Sequence, residues 1–164
     1  MQKLVGLISD THIPTRAKKI PEKVFEVFES VDLIIHGGDL IELSVINILE
    51  KLAPVIAAHG NMDPPNIRQK LPEINSTEVL GWKIGVIHNP YALWGLSRMR
   101  RIATSKNFDV LVFGHTHKPF IRQEKILFIN PGSATDPIPP IFVKKSVGLL
   151  KITKEKIEPR IVRI

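Results

Sequence analysis

The sequence predicts an α/β protein in which two β-sheets pack face to face. Strands and helices alternate over the first third of the chain, a pattern typical of a sheet with crossover helices. Strand-rich sequence fills most of the remainder, where a second sheet is expected. No linker, repeat or low-complexity tract divides the 164 residues, so we expect one domain over residues 1–164.

The first third reads as strand, helix, strand, helix, strand. Apolar runs over residues 3–8, 31–36 and 54–58 predict strands that are covered on both faces. Pro21 is expected to open an amphipathic helix. Ser44 is expected to cap a second helix that ends at Ala53.

Later segments are expected to be mostly strands. Residues 78–88 predict a hairpin that turns about Gly81, and the prolines between residues 64 and 72 predict a short helix or a loop. We expect a helix over residues 94–106 and a buried strand over residues 108–114. The last two predicted hairpins turn near residues 124–125 and 154–156.

Composition excludes several classes of site. The chain has no cysteine, so disulfides, iron–sulfur clusters and thiolate zinc sites are excluded, and any metal must bind to nitrogen and oxygen. The net charge of +7 favours anionic partners, but the basic residues are scattered and aromatic residues make up only 6%, which argues against a dedicated nucleic-acid binder. The chain shows neither a signal peptide nor a segment of membrane-spanning length, so we expect a cytoplasmic protein without membrane contact.

The histidines point to a metal site. All six lie at, or within a few residues of, the carboxyl end of a predicted strand: His12, His36, His59, His88, His115 and His117. Each alone could be a hydrogen-bonded core residue, a surface residue or part of a turn. Together with Asp10, Asp39 and Asn61 at the same kind of position, they favour a metal centre, because loops at strand ends are where α/β proteins build sites.

The number and type of these groups narrow the metal chemistry. Seven ligand-type side chains are more than one ion with an open coordination position needs: Asp10, His12, Asp39, Asn61, His88, His115 and His117. Two ions that share a carboxylate, about 3.5–4 Å apart, fit better. The mixture of imidazole, carboxylate and amide suits Mn, Fe, Ni, Co or Zn more than Ca or Mg alone.

The same residues carry a resemblance to a known family. Asp10-x-His12, Gly38-Asp39, Gly60-Asn61, His88 and His115-Thr116-His117 resemble, in order and spacing, the five blocks of calcineurin-like metallophosphoesterases. The chain length and Asn130-Pro131-Gly132-Ser133 are similar to the small single-domain phosphodiesterase branch. Residues 9–14 (SDTHIP), 82–88 (WKIGVIH) and 129–135 (INPGSAT) are also similar to the retromer vacuolar-sorting subunit, which has the metallophosphoesterase fold.

The resemblance implies a four-layer α/β/β/α sandwich of two mixed sheets and a dinuclear phosphodiesterase. One ion would bind Asp10, His12 and His117, and the other Asn61, His88 and His115, with Asp39 bridging. Manganese is the first expectation for the two divalent ions, with Ni, Co, Fe and Zn left open. A hydroxide bridging the ions would be the nucleophile, with Asn61 as the catalytic side chain, acting on a phosphodiester or nucleotide-like small substrate. A homo-oligomer is left open.

Two positions depart from the family pattern. Met62 stands where many members carry a histidine that assists the leaving group, which implies slow turnover and dependence on good leaving groups. His88 is followed by Asn89-Pro90, where relatives usually have glycine and then a nearby histidine, so the pocket wall differs.

Two other functional classes stay open. The chain could be a catalytically weak scaffold like the retromer subunit, although it keeps all seven ligand-type residues. Nucleic-acid binding is the third functional hypothesis, and strong salt-dependent binding to DNA would favour it.

Overall fold

A computed structural model describes residues 1–88 and 95–164, and these form two five-stranded sheets with four helices. The strands are β1 (Gln2–Ile8), β2 (Leu33–His36), β3 (Val55–Ala57), β4 (Ile74–Val79), β5 (Trp82–Ile87), β6 (Val110–Phe113), β7 (Pro119–Gln123), β8 (Leu127–Pro131), β9 (Ser146–Thr153) and β10 (Ile157–Arg163). The helices are α1 (Glu22–Phe28), α2 (Ser44–Leu49), α3 (Pro65–Arg68) and α4 (Gly95–Ser105).

Both sheets are mixed. The first has the strand order β10-β9-β1-β2-β3, with β1, β2 and β3 parallel and β9 and β10 antiparallel to their neighbours. The second has the order β4-β5-β6-β8-β7, with β5, β6 and β8 parallel. Because β1, β2 and β3 are parallel, as are β5 and β6, the carboxyl ends of the strands in each set lie at one edge of their sheet.

The side chains sort into four layers, which confirms the expected α/β/β/α sandwich. Val5 and Leu7 of β1 belong to the core between the sheets, with Val110 and Val112 of β6. The next residue of β1, Ile8, belongs instead to the core under α1 and α2. This alternation is the period-two pattern of a strand. A third cluster packs α4 against the other sheet.

Most elements match their predictions to within a few residues. The largest differences are at β4, which begins at Ile74 rather than at residue 78, and at the end of α2. The helix α2 ends at Leu49 rather than Ala53, and residues 50–52 form turns. Ser44 does not cap it: Leu43 already has helical dihedral angles, so Ser44 is the first helical residue, and its hydroxyl bonds to Glu42. In the helix predicted over residues 94–106, Trp94 lies outside the described residues, and α4 begins at Gly95.

Among the residues that the structure describes, no helix combines the length and the apolar character that crossing a bilayer requires.

Candidate metal centre

Five loops bring the ligand-type side chains to one place. Three of the loops follow β1, β2 and β3 of the first sheet, and two follow β5 and β6 of the second. These loops carry the seven residues that the sequence singles out: Asp10 and His12, Asp39, Asn61, His88, and His115 and His117. The loops stay in register beyond the strands, since the amide of Asp10 donates to the carbonyl of Gly38 and that of His12 to the carbonyl of Asp39, both at 3.0 Å.

One buried group of ligand atoms comes from the first and last of these loops. His117 Nε2 lies 3.3 Å from Asp10 Oδ1 and 3.1 Å from His12 Nε2. All three side chains are buried, and their ligand atoms lie within 4.8 Å of one another. This spacing is close enough for one cation to contact all three residues.

A second buried group joins Asp39 and His88 to the first. His88 Nε2 lies 3.1 Å from Asp39 Oδ2 and 3.9 Å from Asp10 Oδ1, and these three ligand atoms also lie within 4.8 Å of one another. Asp39 Oδ2 is in turn 3.6 Å from His12 Nε2. The Asp39 carboxylate therefore lies between the two sets of imidazoles.

Asn61 and His115 form the outer rim of the cluster. His115 Nδ1 lies 2.9 Å from Asn61 Oδ1, and the His115 ring stands edge-on to the His88 ring at 5.2 Å between centroids. Asn61 is exposed, whereas Asp10, His12 and His88 are buried. A molecule in solution can therefore reach the cluster from the Asn61 side.

The chemistry of this donor set fits divalent metal ions. Two buried side-chain nitrogens, Nδ1 of His12 and Nε2 of His88, have no hydrogen-bond partner within the described part of the chain. A buried polar atom without a partner is costly, and a cation held between His88 and the two carboxylates would satisfy His88. Imidazole nitrogens and carboxylate oxygens are ligands that Mn, Zn, Ni, Co and Fe accept.

The backbone at the cluster is strained. Five of the seven residues have positive φ angles: Asp10 (52°), His12 (44°), Asp39 (56°), His115 (73°) and His117 (56°). Residues other than glycine rarely adopt this conformation, which costs roughly 1–3 kcal/mol at each position. Such strain persists only where surrounding contacts impose it, and at this cluster it turns the side chains toward a common centre.

Burial and charge set the protonation of the cluster. Burial lowers the pKa of His12 to about 4, so this ring is neutral at pH 7 and offers a nitrogen lone pair. Burial raises the pKa of Asp10. Burial alone would favour neutral Asp39 and neutral His88, but the attraction between the two lowers the pKa of Asp39 and raises the pKa of His88.

Asp63 connects two of the ligand loops. Its buried carboxylate accepts backbone hydrogen bonds from Asp39 (3.0 Å), Ile41 (2.8 Å) and Gly60 (2.6 Å). The Asp39 carboxylate in return accepts a hydrogen bond of 2.8 Å from the amide of Met62. The loops after β2 and β3 are thereby held together at the positions of Asp39 and Asn61.

The segment after β8 orients His117. The carbonyl of Asp136 accepts a hydrogen bond from His117 Nδ1, while Nε2 lies against Asp10 and His12. Arg16, four residues after His12, pairs with the Asp136 carboxylate at 2.6 Å. Ser133 donates to the carbonyl of Asp10 at 2.8 Å. Nothing in the sequence pattern indicates this role for Asp136.

Two glycines allow the loops to approach closely. A Cβ at Gly114 would overlap the Ser9 hydroxyl and come within 2.7 Å of Asp10 Oδ2. A Cβ at Gly60 would collide with the Asp39 carboxylate. These positions explain the glycines beside Asn61 and His115 in the sequence blocks.

Two histidines lie outside this set of seven. His36 is fully buried, with Nε2 3.1 Å from the Thr11 hydroxyl and Nδ1 accepting from the amide of Gly38, and burial lowers its pKa to about 3. His59 is partly buried and lies on a cavity beside Asn61. Met62 is 51% exposed. The sequence departure at Asn89-Pro90 lies outside the described residues.

Fold and site together define a class of protein: a metal-dependent phosphoesterase built on an α/β/β/α sandwich. The chain belongs to the calcineurin-like phosphoesterase superfamily, whose domain model matches residues 4–155. This membership implies divalent metal ions and phosphoester hydrolysis.

Similar proteins agree with this assignment. A probable metallophosphoesterase of Methanothermobacter thermautotrophicus is 41% identical over 98% of this chain and 92% of its own length. A solved archaeal phosphodiesterase is 28% identical, with a TM-score of 0.76 over 98% of this chain and 99% of that one. Vps29 of Entamoeba histolytica, solved in complex with Zn²⁺, is 26% identical, with a TM-score of 0.79 over 98% of both chains.

Proposed function

We propose that this protein is a phosphodiesterase that uses two divalent metal ions. The observation that carries the proposal is the convergence of seven donor side chains from five loops, with Asp39 between two sets of imidazoles. The similarity to an archaeal phosphodiesterase supports the choice of diesters.

Each residue has a role in this proposal. Asp10, His12 and His117 would hold one ion, and Asn61, His88 and His115 the other, with Asp39 shared. When bound, the ions supply a hydroxide for attack on phosphorus and positive charge against the phosphoryl oxygens.

Asn61 is the proposed catalytic side chain. It is the exposed member of the set, so its amide can contact a phosphodiester that enters from solvent. Manganese is the proposed metal, and Ni, Co, Fe and Zn suit the same donors.

The proposal is tested by metal analysis combined with hydrolysis. Protein purified without added metal salts is analysed for bound metals, and hydrolysis of bis(para-nitrophenyl) phosphate is then measured with Mn, Ni, Co and Mg. We expect about two ions per chain, consistent with a shared-carboxylate site, and we expect the fastest hydrolysis with Mn. If the protein hydrolyses the diester with none of these four metals, the proposal is overturned.

A matched pair of variants assigns the activity to the cluster. Loss of a residue that only hydrogen-bonds to a metal ligand typically reduces activity about 10–100-fold. Asp39→Asn changes a proposed ligand itself, so it should reduce hydrolysis by more than this. The control is Asp32→Asn, at the amino end of β2, where the Asp32 carboxylate accepts a hydrogen bond from the Leu4 amide. This variant should keep an activity near that of the wild type. Equal activity in both variants would count against the site.

A second candidate function is a scaffold that binds another protein. The observation in its favour is a pair of exposed apolar side chains after β8, Ile141 at 87% and Phe142 at 84%. A scaffold predicts that Asp39→Ala and His115→Ala leave partner binding intact, whereas replacing Ile141 and Phe142 with serine abolishes it.

A further inference from the structure

We propose that the cavity beside Asn61 and His88 binds the sugar of a nucleotide-like phosphodiester. This inference rests on the proposed phosphodiesterase function and names the part of the substrate that the chain recognises. The cavity has a volume of about 210 Å³, and its lining includes Asn61 and His88 together with His59, Arg68, Glu73 and Ile87.

The position of the cavity places it next to the reacting group. Asn61 and His88 belong to the proposed metal ligands, so a diester bound at the ions has one substituent directed toward this space. Pockets that enclose a drug-sized ligand have volumes of about 300–1,000 Å³, and this cavity is smaller. The cavity therefore suits one substituent of the diester rather than a whole nucleotide.

Arg68 is a fixed hydrogen-bond donor at this cavity. Its Nε donates to the carbonyl of Asp63 at 2.7 Å, and its Nη2 donates to the carbonyl of Asn61. These two bonds orient the guanidinium relative to the ligand loop. Within the described residues Nη1 makes no hydrogen bond, so its donors are available to a ligand.

Glu73 and Ile87 decide which chemistry fits. Glu73 places an acceptor-only carboxylate on the same cavity as Arg68, and this negative charge disfavours a second phosphate group. Arg68 and Glu73 are both exposed to solvent, and a purely hydrocarbon substituent would make no hydrogen bond with either of them. A sugar satisfies all three residues, because its hydroxyl groups donate to Glu73 and accept from Arg68 while its carbon face packs on Ile87.

The test compares three para-nitrophenyl phosphodiesters that release the same leaving group. One carries thymidine, the second carries thymidine whose remaining sugar hydroxyl is replaced by hydrogen, and the third carries methyl. For the wild type, we expect the KM of the thymidine ester to be about tenfold below that of the ester without the hydroxyl, the effect of one hydrogen bond to a charged group. The methyl ester, which also lacks the contact with Ile87, should have the highest KM of the three. Glu73→Gln should raise the KM of the thymidine ester toward that of the ester without the hydroxyl.

Controls separate this inference from the proposed function. Glu78→Gln removes an exposed carboxylate on β4 and should retain the full preference for the thymidine ester. Equal KM values for the three esters in the wild type, or an equal effect of Glu73→Gln on all three, would overturn the sugar site while leaving the phosphodiesterase intact. Failure of the wild type to hydrolyse any of the esters with metal supplied would overturn both.

Discussion

The backbone amide of Asp39 donates a 3.0 Å hydrogen bond to the carboxylate of Asp63, twenty-four residues later in the chain. The Asp39 carboxylate accepts in return from the amide of Met62, the residue before Asp63. This reciprocal pair of bonds ties the shared carboxylate of the proposed centre to the loop that carries Asn61. Metal affinity should therefore depend on Asp63, which is not itself a proposed ligand.

The first prediction concerns Asp63→Asn. The Asp63 carboxylate accepts hydrogen bonds from three backbone N–H groups. In the variant, the amide NH₂ group replaces one carboxylate oxygen, so at least one backbone N–H group faces a donor instead of an acceptor. We expect Mn²⁺ affinity, measured by calorimetry, to fall about 10–100-fold. The free energy of unfolding in urea should fall by about 1–3 kcal/mol.

A remote carboxylate provides the control. Asp32 also accepts a backbone amide, from Leu4 at 2.8 Å, but it lies at the opposite end of β2 from Asp39. Asp32→Asn should lower stability without changing Mn²⁺ affinity. Wild-type Mn²⁺ affinity in Asp63→Asn would show that the two loops do not need this connection.

The second prediction compares two glycines. A side chain at Gly114 would collide with Ser9 and crowd Asp10, whereas Gly81, at φ +90° in the β4–β5 turn, has open space around it. Gly81→Ala should cost about 1–2 kcal/mol for the left-handed backbone and leave metal binding intact. Gly114→Ala should cost about 1–3 kcal/mol from overpacking and also weaken metal binding, since Asp10 must move.

Thermal unfolding and a Mn²⁺ titration on both variants provide the measurement. Should Gly114→Ala bind Mn²⁺ like the wild type, the close approach of the loops would be unnecessary for the site.

The sequence contained enough to predict the layers of the fold and the convergence of the candidate ligands. Apolar runs marked the strands, and parallel strands carry their carboxyl ends to one edge of their sheet, so Asp10 and Asp39 could be expected to lie close together. His117 follows a strand of the other sheet, and the resemblance to a family was what placed it with Asp10. The resemblance to a family supplied the four-layer arrangement, which alternation alone left as two packed sheets.

What the sequence could not predict depends on contacts between distant loops. Asp136 lies in a proline-rich segment without a periodic pattern, and only the folded chain places its carbonyl against His117. In the sequence Asp63 is one more carboxylate after the third strand, and only the folded chain shows the three amides that it binds. The residue pattern would have continued α2 past Leu49, but the amides of Lys51 and Leu52 bond three residues back, to Ile48 and Leu49, so the chain tightens into turns there.

The third prediction concerns stability in acid. Burial lowers the pKa of His36 to about 3, while the unfolded chain protonates this residue near the ordinary value of 6.5. The neutral His36 ring therefore contributes stability above about pH 6.5, and this contribution is lost as the pH falls toward 3, by at most about 1.4 kcal/mol per pH unit. His12, whose pKa is lowered to about 4, acts in the same direction.

The measurement is urea unfolding of the metal-free protein at a series of pH values below about 7. His36→Gln should be less stable at neutral pH, because the bonds to Thr11 and Gly38 are disturbed, but its stability should fall less steeply with acid. An identical pH slope in the variant and the wild type would exclude His36 as a source of acid sensitivity.

The fourth prediction concerns metal removal. A metal that binds only the folded protein stabilises it, by about 2.7 kcal/mol when the free ion is at 100 times Kd. We therefore expect a chelator to lower the midpoint of thermal unfolding and Mn²⁺ to restore it. His117→Ala should lose most of this Mn²⁺-dependent shift, because Nε2 of His117 contacts both Asp10 and His12. Lys118→Ala, an exposed change on the same loop, should keep it. A shift of equal size in the two variants would mean that Mn²⁺ stabilises the protein from somewhere other than this cluster.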